Sequence, residues 1–141
     1  MEENKQTLLK KWKETSSDNL MKFWEVDFVE LGQDYIILKM PVTEKVTQID
    51  GVLHGGATLA LAESAGSIAA WILYRKEGES IRGIELSGNH VRSAKIGEMV
   101  FAKATCINAG RTLQLWEIEI TNQEHKLISF CKFTTIKIKE Q

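Results

Sequence analysis

Two periodicities divide the chain. Near the N-terminus Leu8, Leu9 and Trp12 recur at helical spacing and predict an amphipathic helix over Lys5 to Glu14. The period then changes to two. Trp24, Val26 and Phe28 alternate with Glu25 and Asp27 and predict a first strand; Gly32-Gln33-Asp34 turns the chain into a second, Tyr35 to Met40. Pro41 ends that strand, because proline lacks the N–H a ladder needs. Four more alternating runs, Arg82 to Val91, Met99 to Ile107, Thr112 to Thr121 and Leu127 to Lys137, are separated by the turn-like AKIGE, NAGR and NQEHK.

Between the two groups of strands lie a loop, Val42 to Val52, and a different pattern. Gly55 to Tyr74 is a run of 20 residues whose only charge is Glu63, closed by Lys76-Glu77-Gly78. It is long enough to be weighed as a membrane span. Its wealth of Ala, Gly and Ser, and the strands crowding the rest of the chain, favour a buried helix of a soluble protein. The order of elements is an α+β plan, one antiparallel sheet around one long central helix, and 141 residues suffice for a single domain with its own core.

Charge and composition then narrow the function. A net charge of -1 and the lack of basic clusters interleaved with aromatics argue against a nucleic-acid partner. The N-terminus is charged and has no apolar signal core, so a cytoplasmic protein without a membrane partner is expected. Cys106 and Cys131 do not form a CxxC pair and are expected as reduced thiols in or near the core. His54, His90 and His125 have no ligand spacing, so no metal is expected. The motifs GxSxG, GxxxxGK[ST] and HExxH are absent.

What remains is Gln48 to Ser67. His54-Gly55-Gly56 opens the helix, and the first N–H groups of a helix have no acceptor within it. Gly55 and Gly56 could therefore form an oxyanion hole, or simply let the chain turn tightly into a packed helix. Glu63 and Ser67, four residues apart, share one helical face. Among apolar neighbours Glu63 either pairs with an arginine such as Arg82 or Arg92, reaches solvent at a groove, or is partly desolvated with a raised pKa and poised as base or nucleophile. One carboxylate and an oxyanion hole are little equipment for an amide or a phosphate. They suffice for a thioester, whose thiol, with a pKa near ~8.5, leaves without a general acid.

The stretch Gln48-Ile49-Asp50-Gly51-Val52-Leu53-His54-Gly55-Gly56, continuing through Leu61-Ala62-Glu63-Ser64-Ala65-Gly66-Ser67, resembles the hotdog-fold acyl-CoA thioesterases. The branch is the 4-hydroxybenzoyl-CoA thioesterase and 1,4-dihydroxy-2-naphthoyl-CoA hydrolase type, and Asn89-His90-Val91-Arg92-Ser93-Ala94 and Gln114-Leu115-Trp116-Glu117 fit it too. The resemblance implies a single hotdog domain over residues 1–141 and an acyl-CoA substrate, with coenzyme A entering as part of the substrate and no separate cofactor. It implies Glu63 as the catalytic carboxylate and Gly55 as the amide that polarises the carbonyl. Gln48 would orient that carbonyl, His54 support the site, and Ser67 position water or substrate. His90, Arg92 and Ser93, with Gly83, would line the coenzyme A side. His90 could equally be a packed core histidine, Trp116 core, and Arg92 and Arg111 solvated strand-end charges. The segment from Asn108 to Leu113 departs from the branch pattern, which leaves the nucleotide end unassigned.

The expectation is an acyl-CoA thioesterase acting on an aromatic or otherwise bulky acyl group, with Met21, Phe23, Trp24, Trp71 and Tyr74 as potential pocket liners. The alternatives are a hotdog hydratase or dehydratase, disfavoured by Gly-Gly after His54, and a non-catalytic acyl-CoA-binding module, disfavoured by the presence of Glu63. Geometry adds an expectation about assembly. Glu63 lies eight residues beyond Gly55, roughly 12 Å along a helix at ~1.5 Å per residue, whereas reacting groups must come within about 3 to 3.5 Å. Both cannot serve one thioester from the same helix, so a homodimer, itself paired into a dimer of dimers, is expected, with Gln48 and Gly55 of one chain facing Glu63 and Ser67 of the other.

Overall fold

Every alternating run downstream of the central helix becomes a strand, and in the last three of the four the buried apolar positions alternate so that one side covers the helix. The computed structural model describes residues 2–15 and 18–140. Three helices, α1 (Glu2–Thr15), α2 (Leu20–Phe23) and α3 (Gly55–Tyr74), accompany six strands, β1 (Asp27–Leu31), β2 (Tyr35–Pro41), β3 (Glu79–His90), β4 (Met99–Ala109), β5 (Leu113–Asn122) and β6 (Leu127–Lys139). The strands form one antiparallel sheet in the order β1-β2-β4-β5-β6-β3. This is the expected hotdog plan, with α3 packed against β2 through β6.

The wrapping depends on size. The face α3 turns to the sheet is rich in alanine, Ala57, Ala62, Ala65, Ala69 and Ala70, with Leu61, Ile68 and Ile72 between them. Small side chains let the strands close around the helix. Ile36, Leu38 and Met40 from β2, Val100, Ala102 and Ala104 from β4, and Ile118 and Ile120 from β5 fill the remaining space. Length and composition alone would let α3 cross a membrane; here the sheet covers the face a bilayer would have covered. Trp116 is a core residue and donates its indole N–H to Thr135 Oγ1 at 3.0 Å. Thr135 donates in turn to Gln114 Oε1 at 2.8 Å, so these three buried side chains satisfy one another in series.

One element differs from expectation. The alternation of Trp24, Val26 and Phe28 does not mark a strand from Trp24, because a helical turn occupies Leu20–Phe23. The Asn19 side chain accepts from Lys22 N–H at 3.0 Å and caps that turn. Trp24 N–H bonds back to Leu20 O at 3.0 Å, and Glu25 adopts a left-handed φ of 60°. The chain straightens only at Asp27, although Trp24, Val26 and Phe28 still pack against the core. The loop expected from Val42 contains a 3-10 turn over Glu44–Val46.

Candidate active site

Gln48, Gly55, His90, Arg92 and Ser93 converge on one cleft of about 390 Å³. His54 stands at the N-cap of α3 and its Nδ1 accepts the Gly56 N–H at 2.8 Å. Of the two glycines expected to hold an oxyanion, Gly56 is therefore already committed. Gly55 N–H, in the first position of the helix, has no acceptor within it. The Gln48 side chain is oriented by a short hydrogen bond in which Asp50 N–H donates to Oε1. With the carbonyl oxygen occupied, the amide NH2 group of Gln48 is left as a second donor on the same cleft.

The glycine at 55 is a packing requirement. A Cβ there would stand 2.8 Å from His90 Nε2 and 3.0 Å from its Cδ2. The His90 ring cannot easily retreat, since its Nδ1 lies 2.6 Å from Ser129 Oγ, and Ser129 is fully buried. His90 is itself exposed toward the cleft, so it is a hydrogen-bonded strand-end residue and not a core histidine.

Glu63 and Ser67 line a second cleft, of about 440 Å³, with Ser64, Ala60, Ile68 and four residues of the N-terminal segment, Trp12, Asn19, Leu20 and Met21. Among the described residues, none lines both clefts. Glu63 is exposed, and among the described residues it has no ion-pair partner; neither Arg82 nor Arg92 pairs with it. Of the alternatives for Glu63, a single chain shows the one in which it reaches solvent at a groove, and not the arginine pair or the desolvated carboxylate. Gly83, expected beside His90, lies instead with Glu63: a Cβ at Gly83 would be 3.6 Å from Glu63 Oε2 and 2.5 Å from Phe133 Cζ. A Cβ at Gly66 would meet the same ring, 2.4 Å from Phe133 Cδ2. The Phe133 ring is thus clamped between α3 and β3 by two glycines, which brings the helix close enough to the strand for Glu63 to overlook it. The β3–β6 register shifts between Gly83 and Glu85, a bulge at the strand position next to the carboxylate.

Of the aromatic and sulfur residues considered as pocket liners, only Met21 reaches Glu63. Trp71 carries Arg75 over its ring at 5.4 Å, and Tyr74 packs on Trp116 with ring centroids 5.9 Å apart. Phe23 lies under Lys45. Trp12, Leu20 and Ser64 were not singled out by the sequence pattern. Trp12 shares the stripe of Leu8 and Leu9 and reads simply as core, while the Asn19 cap that places Leu20 and Met21 opens a helical turn of 4 residues, too short for a helical period to show. Both cysteines are free thiols, and burial pushes Cys131 up to about 11.

Comparison with known proteins identifies the family and agrees with the fold. A family model described as the thioesterase superfamily matches residues 50–129. The 1,4-dihydroxy-2-naphthoyl-CoA hydrolase of Escherichia coli (strain K12) is 35% identical over 119 residues, 83% of this chain and 85% of the relative. A hydrolase of the same description from Listeria monocytogenes is 36% identical over 116 residues, covering 82% of this chain and 92% of the relative. A crystal structure of a Haemophilus influenzae thioesterase superposes with a TM-score of 0.82 at 36% identity, covering 87% of this chain and 85% of that one.

Proposed function

The chain belongs to the thioesterase superfamily and is an acyl-CoA thioester hydrolase, and from that premise we propose that Glu63 drives hydrolysis of an aromatic or similarly bulky acyl-CoA at a site shared between two copies of the chain. The observation that carries this reading is the separation of the donors at Gly55 and Gln48 from the carboxylate at Glu63, in two clefts along one continuous helix.

The edge of β3 supplies a way to join them. β3 pairs only with β6, and a run of its residues from Arg82 onward is exposed apart from Leu86. An unpaired edge of this length is a template for another strand. Two β3 edges paired antiparallel about a two-fold axis between Leu86 and Ser87 would set Gly83 of one copy opposite His90 of the other. Glu63 sits at Gly83 and Gly55 at His90, so this register brings the carboxylate of one copy to the donors of the other, twice.

In such a site the thioester oxygen accepts from Gly55 N–H and the Gln48 amide. Glu63 removes a proton from water while the oxygen of that water bonds to the carbonyl carbon, or attacks the carbon itself to form an anhydride that water then opens. Negative charge accumulates on the oxygen facing the two donors. Collapse breaks the C–S bond; in the first route the thiolate takes up the proton that Glu63 holds, and in the second it takes up the proton released by the water that opens the anhydride. Water is the only co-reactant, and coenzyme A leaves as product. His90, Arg92 and Ser93 would line the entry side, where a polar pantetheine arm suits polar walls. The Escherichia coli relative is a hydrolase of 1,4-dihydroxy-2-naphthoyl-CoA, a bicyclic aryl thioester, which supports the aryl assignment. The test is thiol release from benzoyl-CoA and acetyl-CoA by wild type and Glu63→Ala. A higher kcat/KM for benzoyl-CoA is expected, with loss of both activities in the variant; near-normal turnover by folded Glu63→Ala would end the reading.

A further inference from the structure

We propose that the N-terminal corner made by α1 and α2 selects the acyl group, with Trp12, Leu20 and Met21 as its specificity-determining side chains. This rests on the reading of Glu63 as the catalytic carboxylate. The cleft beside Glu63 has two walls. One is α3, which offers Ala60, Glu63, Ser64, Ser67 and Ile68; the other is entirely N-terminal, Trp12, Asn19, Leu20 and Met21. The cleft by Gly55 is lined by Gln48, Thr58, His90, Arg92, Ser93 and Ser129 among others, so the apolar end of a thioester substrate belongs on the Glu63 side.

This wall lies outside the residues matched by the family model, 50–129. None of its side chains lines the cleft that holds the donors, and none is the carboxylate. It is also firmly held. Leu9 is buried in the core and Leu8 and Trp12 pack against it; Lys13 lies over the Phe28 ring at 4.5 Å, and Lys45 over Phe23 at 4.7 Å. Leu20, by contrast, is 50% exposed, and Trp12 and Met21 are half-buried, so each has apolar surface left for a ligand.

Size and shape follow from the lining. An indole and a thioether both favour contact with an aromatic ring, and about 440 Å³ is at the small end for a ligand cleft, room for one or two fused rings. Beyond Asn19 and Leu20 the next cleft sets the exposed Phe23 ring, itself under Lys45, among Asp18, Lys22 and Glu25. A long alkyl chain that outgrew the first cleft would have to pass those charged side chains to reach it. The structure thus favours a short, planar acyl group over a long flexible one.

The experiment compares kcat/KM for benzoyl-CoA, decanoyl-CoA and acetyl-CoA in wild type, Trp12→Ala, Leu20→Ala, Met21→Trp and Glu63→Ala, each checked for fold by circular dichroism. Met21→Trp fills the cleft and should lower the benzoyl-to-acetyl ratio by about tenfold or more; Trp12→Ala opens it and should raise the decanoyl-to-benzoyl ratio by a similar factor. Leu20 and Met21 are not core positions, so their variants decide the matter even if Trp12→Ala fails to fold. Ratios within about twofold of wild type in the folded variants would overturn the proposal. Persistence of all three activities in Glu63→Ala would instead overturn the catalytic reading, and the ratios would still judge the wall.

Discussion

Adding one methyl group at Gly55 tests the oxyanion assignment without removing any functional group. In Gly55→Ala the new Cβ would stand 2.8 Å from His90 Nε2, about 0.6 Å inside ordinary contact. On its far side the ring is tied to buried Ser129 at 2.6 Å. The strain must then be shared by the ring and the start of α3, which moves the Gly55 N–H away from its target. A misplacement of 1 Å can cost about a hundredfold in rate, so a shift of several tenths of an ångström should lower kcat by between about tenfold and a hundredfold. Overpacking against that ring costs about 1–3 kcal/mol, against a gain of at most about 1 kcal/mol from alanine over glycine in a helix. The assay is kcat from thiol release beside a thermal melt: a slower enzyme with an unchanged or modestly lower Tm is expected. Gly55→Ala combined with His90→Ala should recover much of kcat while KM rises, because the clash is gone and one wall of the entry side with it. Full activity in Gly55→Ala, or no recovery in the double variant, would refute the placement of the carbonyl at Gly55.

Gln48→Ala removes the second donor and should lower kcat by about 10²- to 10³-fold with little change in Tm, as measured by thiol release and a melt. Gly66→Ala drives a Cβ to 2.4 Å from Phe133 Cδ2; overpacking of about 1–3 kcal/mol should exceed the helix-propensity gain and lower the denaturant midpoint. Alkaline stability is set by acids whose folded pKa is raised. Burial pushes Cys131 from 9.0 up to about 11, and burial, then the hydrogen bond to Cys106, pushes Tyr74 above 10.0. The unfolded chain loses those protons first, so stability should hold below pH 9 and fall as pH rises from 9 toward 11. Denaturant midpoints at pH 8 and 10.5 should differ by less in Cys131→Ala; an equal difference would contradict the assignment.

Much of the plan was legible because one partner organises it: the apolar helix demands a sheet, and the alternation of β2, β4, β5 and β6 states which side faces inward. The helix bounds came through to the residue, since Gly55 and Tyr74 are flanked by a cap and a turn. The first strand misled because Trp24 and Val26 reach the core from a capped turn, and period two over so few residues cannot separate the cases. At the site, the spacing of Gly55 and Glu63 already required two clefts. That Gly83 belongs with the carboxylate, and that Gly56 is taken by His54, depends on how Phe133 and the imidazole pack, which no spacing encodes. The exposure of Glu63 within one chain, which the proposed shared site would cover, is likewise not encoded in any spacing.

That shared site is the central claim, and subunit complementation tests it most directly. Gln48→Ala and Glu63→Ala proteins, each impaired alone, are mixed in equal amounts under conditions where a tagged subunit shows exchange. With random re-pairing half the dimers are mixed, each with one intact and one doubly damaged site, so activity should return to about a quarter of the wild-type level. No recovery despite demonstrated exchange would mean that donors and carboxylate act within one chain, and the two-cleft account would fail.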